Sequence, residues 1–122
     1  MPKTILIVDD EQDLLTLLEI RLKTFGFNVL TALDGEEGFR KAKEEKPDLI
    51  LLDILMPIVD GVTMAANLRK DENTKKIPVV FLTSLVNEEE IKQKHKIGGE
   101  TFLAKPFEAE EMMSVIQKKL KQ

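Results

Sequence analysis

The stretch Leu49-Ile50-Leu51-Leu52-Asp53 decides the fold. Four consecutive apolar residues without polar alternation suit a strand buried on both faces, and such strands belong to parallel sheets covered by helices on either side. An acid closes the run. Two other runs read the same way: Ile5-Leu6-Ile7-Val8, closed by Asp9-Asp10, and Pro78 to Leu82, closed by Thr83-Ser84. Asn28 to Ala32 and Thr101 to Ala104 complete a set of five strands, the last closed by Lys105-Pro106.

Between these runs the apolar spacing turns helical. From Glu11 to Phe25, residues Leu14, Leu17, Leu18, Leu22 and Phe25 form one stripe, and Gly26 follows as a C-terminal cap. Leu15 and Ile20 fall off that stripe, which suits peripheral packing or part of a docking surface. Asp34 precedes Glu37 at capping-box spacing and opens a helix running to about Glu45, where Pro47 closes the connection. Asp60-Gly61 leads into a third helix with Val62, Ala65 and Leu68, and Asn87 with Glu90 opens a fourth that ends at Gly98-Gly99. The last helix, Glu108 to Leu120, carries acids in its first turn and lysines in its last, both favourable to the helix dipole. Met112 and Met113 read as its core and flank. Strand and helix thus alternate five times, which predicts an α/β sandwich of three layers with right-handed crossovers. In such folds ligands bind at the carboxyl ends of the strands, where the strand order reverses.

Composition narrows the function. At 122 residues, with 43% hydrophobic against 33% charged, the chain suits one domain over residues 1–122 with no separate output domain. Eighteen basic against 22 acidic residues give a net charge of −4 without a basic stripe, which argues against nucleic acid as a direct ligand. The absence of cysteine excludes disulfides, thiolate metal sites and cysteine nucleophiles. No apolar run approaches the roughly 20 residues of a membrane-spanning helix, and Met1-Pro2-Lys3-Thr4 does not open a signal peptide. A soluble, cytoplasmic domain is the expectation.

The strand ends carry the chemistry. If the first and third strands are neighbours, Asp9, Asp10 and Asp53 converge on one small space. Any one of them alone reads as a helix cap or a polar strand end. Together they need a cation, and a hard divalent ion such as Mg²⁺ suits a few carboxylates and several waters. Thr83 and Lys105 bring a hydroxyl and an ammonium to the same rim. A carboxylate nucleophile, Mg²⁺, a hydroxyl and a lysine suit transfer of a phosphoryl group onto Asp.

The ordered set Asp9-Asp10, Asp53, Met56-Pro57, Asp60-Gly61, Thr83-Ser84 and Lys105-Pro106-Phe107 resembles the receiver (CheY-like) domain of bacterial two-component response regulators. The resemblance covers essentially the whole chain. It implies a flavodoxin-like (βα)5 fold with a five-stranded parallel sheet of order 2-1-3-4-5, the order of the family's chemotaxis regulator. It further implies Asp53 as phosphoacceptor, served by a sensor histidine kinase or a histidine phosphotransfer protein. Asp10, Asp53 and the backbone carbonyl of Leu55 would ligate Mg²⁺, for which Mn²⁺ substitutes, and Asp9 would act through a bound water. Lys105 would pair with Asp53 at rest and with a phosphoryl oxygen afterwards. Thr83 and Phe102 would be the switch, Pro106 the candidate for a cis peptide bond.

By the same resemblance, the surface formed by the fourth helix, the fifth strand and the last helix would report to an unknown downstream protein. The protein would be a monomer or a weak phosphorylation-dependent dimer, with no membrane partner. Leu55 and Leu85 stand where relatives tune phosphoryl lifetime; both are apolar, so slow self-dephosphorylation is expected. Lys94, His95 and Gly99 depart from the family's usual residues on the fourth helix and suggest loose packing there. Two rivals remain in view. A Mg²⁺-dependent aspartyl-phosphate phosphatase usually has its nucleophile after the first strand and a cap domain, and this chain has no residues to spare for one. An unphosphorylated adaptor on the same fold would not need the full set of site residues.

Overall fold

A computed structural model describes residues 2–53, 61–83, 101–104 and 107–121. The strands are β1 (Thr4–Val8), β2 (Asn28–Ala32), β3 (Leu49–Asp53), β4 (Val79–Thr83) and β5 (Thr101–Ala104). The described helices are α1 (Gln12–Thr24), α2 (Gly35–Glu45), α3 (Gly61–Lys70) and a C-terminal helix (Ala109–Leu120). All strand pairs are parallel and the sheet order is β2-β1-β3-β4-β5, the order the sequence implied. The fourth helix expected between Asn87 and Gly99 lies outside the described residues.

Alternation along the strands divides the core into two slabs, because successive side chains of a strand point to opposite faces. Ile5, Ile7, Leu49, Leu51, Val80 and Leu82 face α1 and the C-terminal helix, packing on Leu15, Leu18, Leu22, Met112 and Ile116. Leu6, Val8, Ile50, Leu52, Val79 and Phe81 face the other way and pack with Ala42, Met64, Ala65 and Leu68. Every residue from Leu49 to Leu52 is fully buried, which explains why that run shows no alternation in sequence.

Helix α1 corrects the sequence reading in one respect. Its inward face is Leu15, Leu18 and Leu22, and Leu15 is only 1% exposed. Leu17 and Phe25, expected on the buried stripe, are 43% and 50% exposed. The reason is geometric: α1 is apolar over much of its circumference, so two stripes overlap in sequence and only packing selects one. Leu17 lies roughly 130° around the helix from the middle of the buried trio, and Ile20 nearly opposite it. Phe25 belongs to the cap rather than the helix.

The helix ends follow local chemistry. Gly26, at φ +94°, accepts the left-handed conformation that ends α1. The Gly26 and Phe27 N–H groups donate to the carbonyls of Lys23 and Leu22, the paired bonds of a Schellman motif. At α2 the Asp34 carboxylate accepts the Glu37 N–H at 2.8 Å, while the Glu37 carboxylate accepts the N–H of Leu33. This is the capping box read from sequence, reaching one residue further back than usual. Gly38 lets α2 settle on β1, since a Cβ there would stand 2.8 Å from Cγ2 of Val8.

Candidate metal and acceptor site

Asp9 and Asp53 sit level with one another because β1 and β3 are neighbours in a fixed register. Val8 pairs with Leu52, so the next residue on each strand, Asp9 and Asp53, emerges at the same height. The Asp9 backbone is pinned on its other side, where its N–H donates to the carbonyl of Ala32 at 3.1 Å. Its side chain is fully buried and Oδ1 accepts the Glu11 N–H at 2.9 Å. Asp9 therefore braces the start of α1 and also belongs to the acidic cluster. Asp53 is 5% exposed, and Asp10 stands out in solvent.

One carboxylate oxygen from each of Asp9, Asp10 and Asp53 lies within 4.8 Å of the other two. At that separation, with an effective dielectric constant of about 20, the buried carboxylates of Asp9 and Asp53 repel by about 3 kcal/mol when both are ionised, and exposed Asp10 adds less because solvent screens it. Even so, the cluster costs an appreciable fraction of a small domain's whole stability. The N-terminus of α1 beside them offsets a part of the order of 0.5 kcal/mol per charge. A hard divalent cation offsets far more, and an all-oxygen donor set of this charge fits Mg²⁺.

Thr83 ends β4 in register with Ala104 of β5, one residue beyond Leu82, which pairs with Asp53. The threonine therefore stands at the same sheet edge as the three acids. Phe102 lies on β5 in register with Phe81. Lys105, Pro106 and Leu55, together with Leu85, Lys94, His95 and Gly99, lie outside the described residues. What sequence reasoning missed is the support: the Glu11 N–H on Asp9 and the Ala32 carbonyl beneath it. Both are backbone groups, invisible to a search for side-chain types, although an Asp three residues before a helix start is itself a cue to such a turn.

Fold and site together define a class. The response regulator receiver domain family matches this chain over residues 5–117, and the chain belongs to that family. Receiver domains of this family partner with histidine kinases in two-component systems. Among relatives, the DNA-binding dual master transcriptional regulator RpaA of Synechocystis is 41% identical over 117 residues, covering 96% of this chain and 48% of RpaA. The alkaline phosphatase synthesis transcriptional regulatory protein PhoP of Bacillus subtilis is 39% identical over 112 residues, 92% of this chain and 46% of PhoP. The chain spans about half the length of the curated relatives it matches. A crystal structure of a putative response regulator from Chloroflexus aurantiacus superposes with a TM-score of 0.92 at 32% identity, covering 100% of both chains. The receiver domain of the sensor histidine kinase PA1611 from Pseudomonas aeruginosa does so at 0.91 and 28%, again over 100% of both; it holds a magnesium ion coordinated in its active-site cleft. Among the described residues no helix is long and apolar enough to cross a membrane.

Proposed function

We propose that this chain accepts a phosphoryl group on Asp53 from a phosphohistidine of a sensor histidine kinase or a histidine phosphotransfer protein. The observation that supports it is the convergence of Asp9, Asp10 and Asp53 within 4.8 Å at the carboxyl ends of β1 and β3. A carboxylate oxygen of Asp53 attacks phosphorus; the O–P bond forms as the P–N bond to the donor imidazole breaks, and that nitrogen takes up a proton. Mg²⁺, with Mn²⁺ as a substitute, supplies neutralisation of the phosphoryl charge when held by Asp10, Asp53 and the Leu55 carbonyl, with Asp9 acting through water. Lys105 neutralises a further oxygen, and Thr83 donates to another, moving together with Phe102 as the switch. The chain is an acceptor and not an enzyme acting on a separate substrate. With apolar Leu55 and Leu85 unable to orient an attacking water, the acyl phosphate is lost slowly.

The kinase docks beside the acids on the outer face of α1. Leu15 is buried and has no part in that contact; exposed Leu17 and Ile20 take its place. Output passes through the surface that the helix expected after Asn87 forms with β5 and the C-terminal helix. The stretch itself makes no direct contact with nucleic acid, and the DNA binding named for RpaA belongs to a protein about twice as long. The reading places this receiver in the cytoplasm. The test is transfer of labelled phosphate from a histidine-phosphorylated donor. Wild type should take the label within minutes and Asp53→Ala none. Equal labelling of the two would overturn the assignment.

A further inference from the structure

We propose that Glu37 is a positioning residue for the metal site, holding Asp9 in place through the one peptide unit that joins Ala32 to Leu33, a role that rests on Asp9, Asp10 and Asp53 serving Mg²⁺. The carbonyl of that unit accepts the Asp9 N–H at 3.1 Å. Its N–H, carried by Leu33, donates to Oε1 of Glu37 at 2.8 Å. A peptide unit is flat, with its C=O and N–H pointing to opposite sides. One rigid plate is therefore held between Asp9 and Glu37, and it cannot turn without straining both bonds.

The Glu37 bond does more than cap a helix. In a capping box the acid of the first turn reaches back to the N–H of the capping residue itself, which here is Asp34. Glu37 reaches past it to Leu33, the residue that follows β2 and lies outside the helix. Its own backbone is fixed from below. The Glu37 N–H donates to Oδ1 of Asp34 at 2.8 Å, and the Gly38 N–H donates to the Asp34 carbonyl at 2.9 Å. Asp34 thus anchors the first turn of α2, and Glu37 ties that turn to the end of β2.

Asp9 needs such a tie. It is fully buried, with its carboxylate close to that of Asp53, and without a cation the two repel. The Glu11 N–H holds its side chain at Oδ1. Its backbone depends on Ala32, which the β1–β2 register sets beside Val8, so that the Ala32 carbonyl meets the next N–H along β1. An ionised carboxylate accepting from the far side of the peptide draws amide electron density towards the Ala32 oxygen, and the bond to Asp9 strengthens. Partners that never touch a metal commonly set its affinity in this way.

Two readouts on the whole chain test this: the amide resonances of Leu33 and Asp9 in the metal-free protein, and the Mg²⁺ dissociation constant from titration of the same samples. In E37A both amide protons should move upfield as their bonds weaken. Mg²⁺ affinity should fall about fivefold, less than the roughly 10–100-fold typical when a ligand loses its direct partner. E37Q keeps an oxygen acceptor and should hold Mg²⁺ within about twofold of wild type. E36A removes an exposed acid from the same turn, without that bond, and should match wild type in both readouts. An Asp9 resonance unmoved in E37A, an unchanged affinity in E37A, or an equal loss in E36A would each overturn the role of Glu37 while leaving the metal site standing. Wild type that takes up no Mg²⁺ would overturn the metal site, and the role of Glu37 with it.

Discussion

Asp10 shows most directly how single residues set the balance between stability and function. It is the exposed member of the acidic trio, so its repulsion with Asp9 and Asp53 is screened but not abolished. Asp10→Asn should stabilise the metal-free protein by about 1 kcal/mol, because a charge leaves the cluster while nearly the same volume remains. Thermal unfolding with and without Mg²⁺ checks this. Wild type should gain stability on adding the ion, and the variant should start higher and gain little. A variant that starts lower than wild type would contradict the electrostatic account. Asp71 behaves in the opposite way. The backbone N–H of Asn73, and then Lys43 at 3.3 Å, hold its carboxyl below the usual value. Its folded pKa is depressed, so its contribution is present above the ordinary carboxylate range and fades as pH falls through the folded value. The gap in urea midpoint between wild type and Asp71→Asn should therefore be widest near neutrality and close in acid. A constant gap would contradict it.

At the scale of the element, α1 marks what the sequence conceals. The five strands were legible because burial on both faces removes alternation and leaves unbroken apolar runs such as Leu49 to Leu52. The capping signal at Asp34 and Glu37 was legible because it is local chemistry. Which face of α1 turns inward was not, because Leu14, Leu15, Leu17, Leu18, Ile20 and Leu22 offer more than one stripe, and contact with Ile5 and Leu49 decides. The consequence is testable with one pair of substitutions. Leu15→Ser should cost about 3 kcal/mol by urea denaturation, through lost burial and a buried hydroxyl. Ile20→Ser, at a residue 59% exposed, should leave stability within about 0.5 kcal/mol and slow transfer from a cognate kinase several-fold. Transfer to Ile20→Ser at the wild-type rate would argue that docking lies elsewhere; equal destabilisation by both would contradict the buried face assigned here.

Over the whole molecule, topology gathers the charges. Each described helix follows a strand and runs back across the sheet, so first turns collect at one edge and last turns at the other. Asp13, Glu36, Glu37, Glu110 and Glu111 occupy first turns, on the edge that holds Asp9, Asp10 and Asp53. Arg21, Lys23, Lys43, Arg69, Lys70, Lys118 and Lys119 occupy last turns, at the far edge. Every one of these choices suits its own helix dipole, and together they surround the site with a field that concentrates cations. The candidate site was legible in the sequence because each acid closes an apolar run, and a parallel sheet of this order brings those ends together. Of its backbone supports, the Ala32 carbonyl was not, since it depends on the β1–β2 register, and the Glu11 N–H was signalled only by the place of Asp9 just before α1. The central claim is that Asp53 is the phosphoacceptor. Intact-mass spectrometry after incubation with a small acyl phosphate tests it most directly, on wild type and Asp53→Ala, with Mg²⁺ and with chelator. Addition of one phosphoryl group to wild type in Mg²⁺ alone is the predicted result. Equal addition to Asp53→Ala, or none to wild type despite bound Mg²⁺ and a competent kinase, would contradict it.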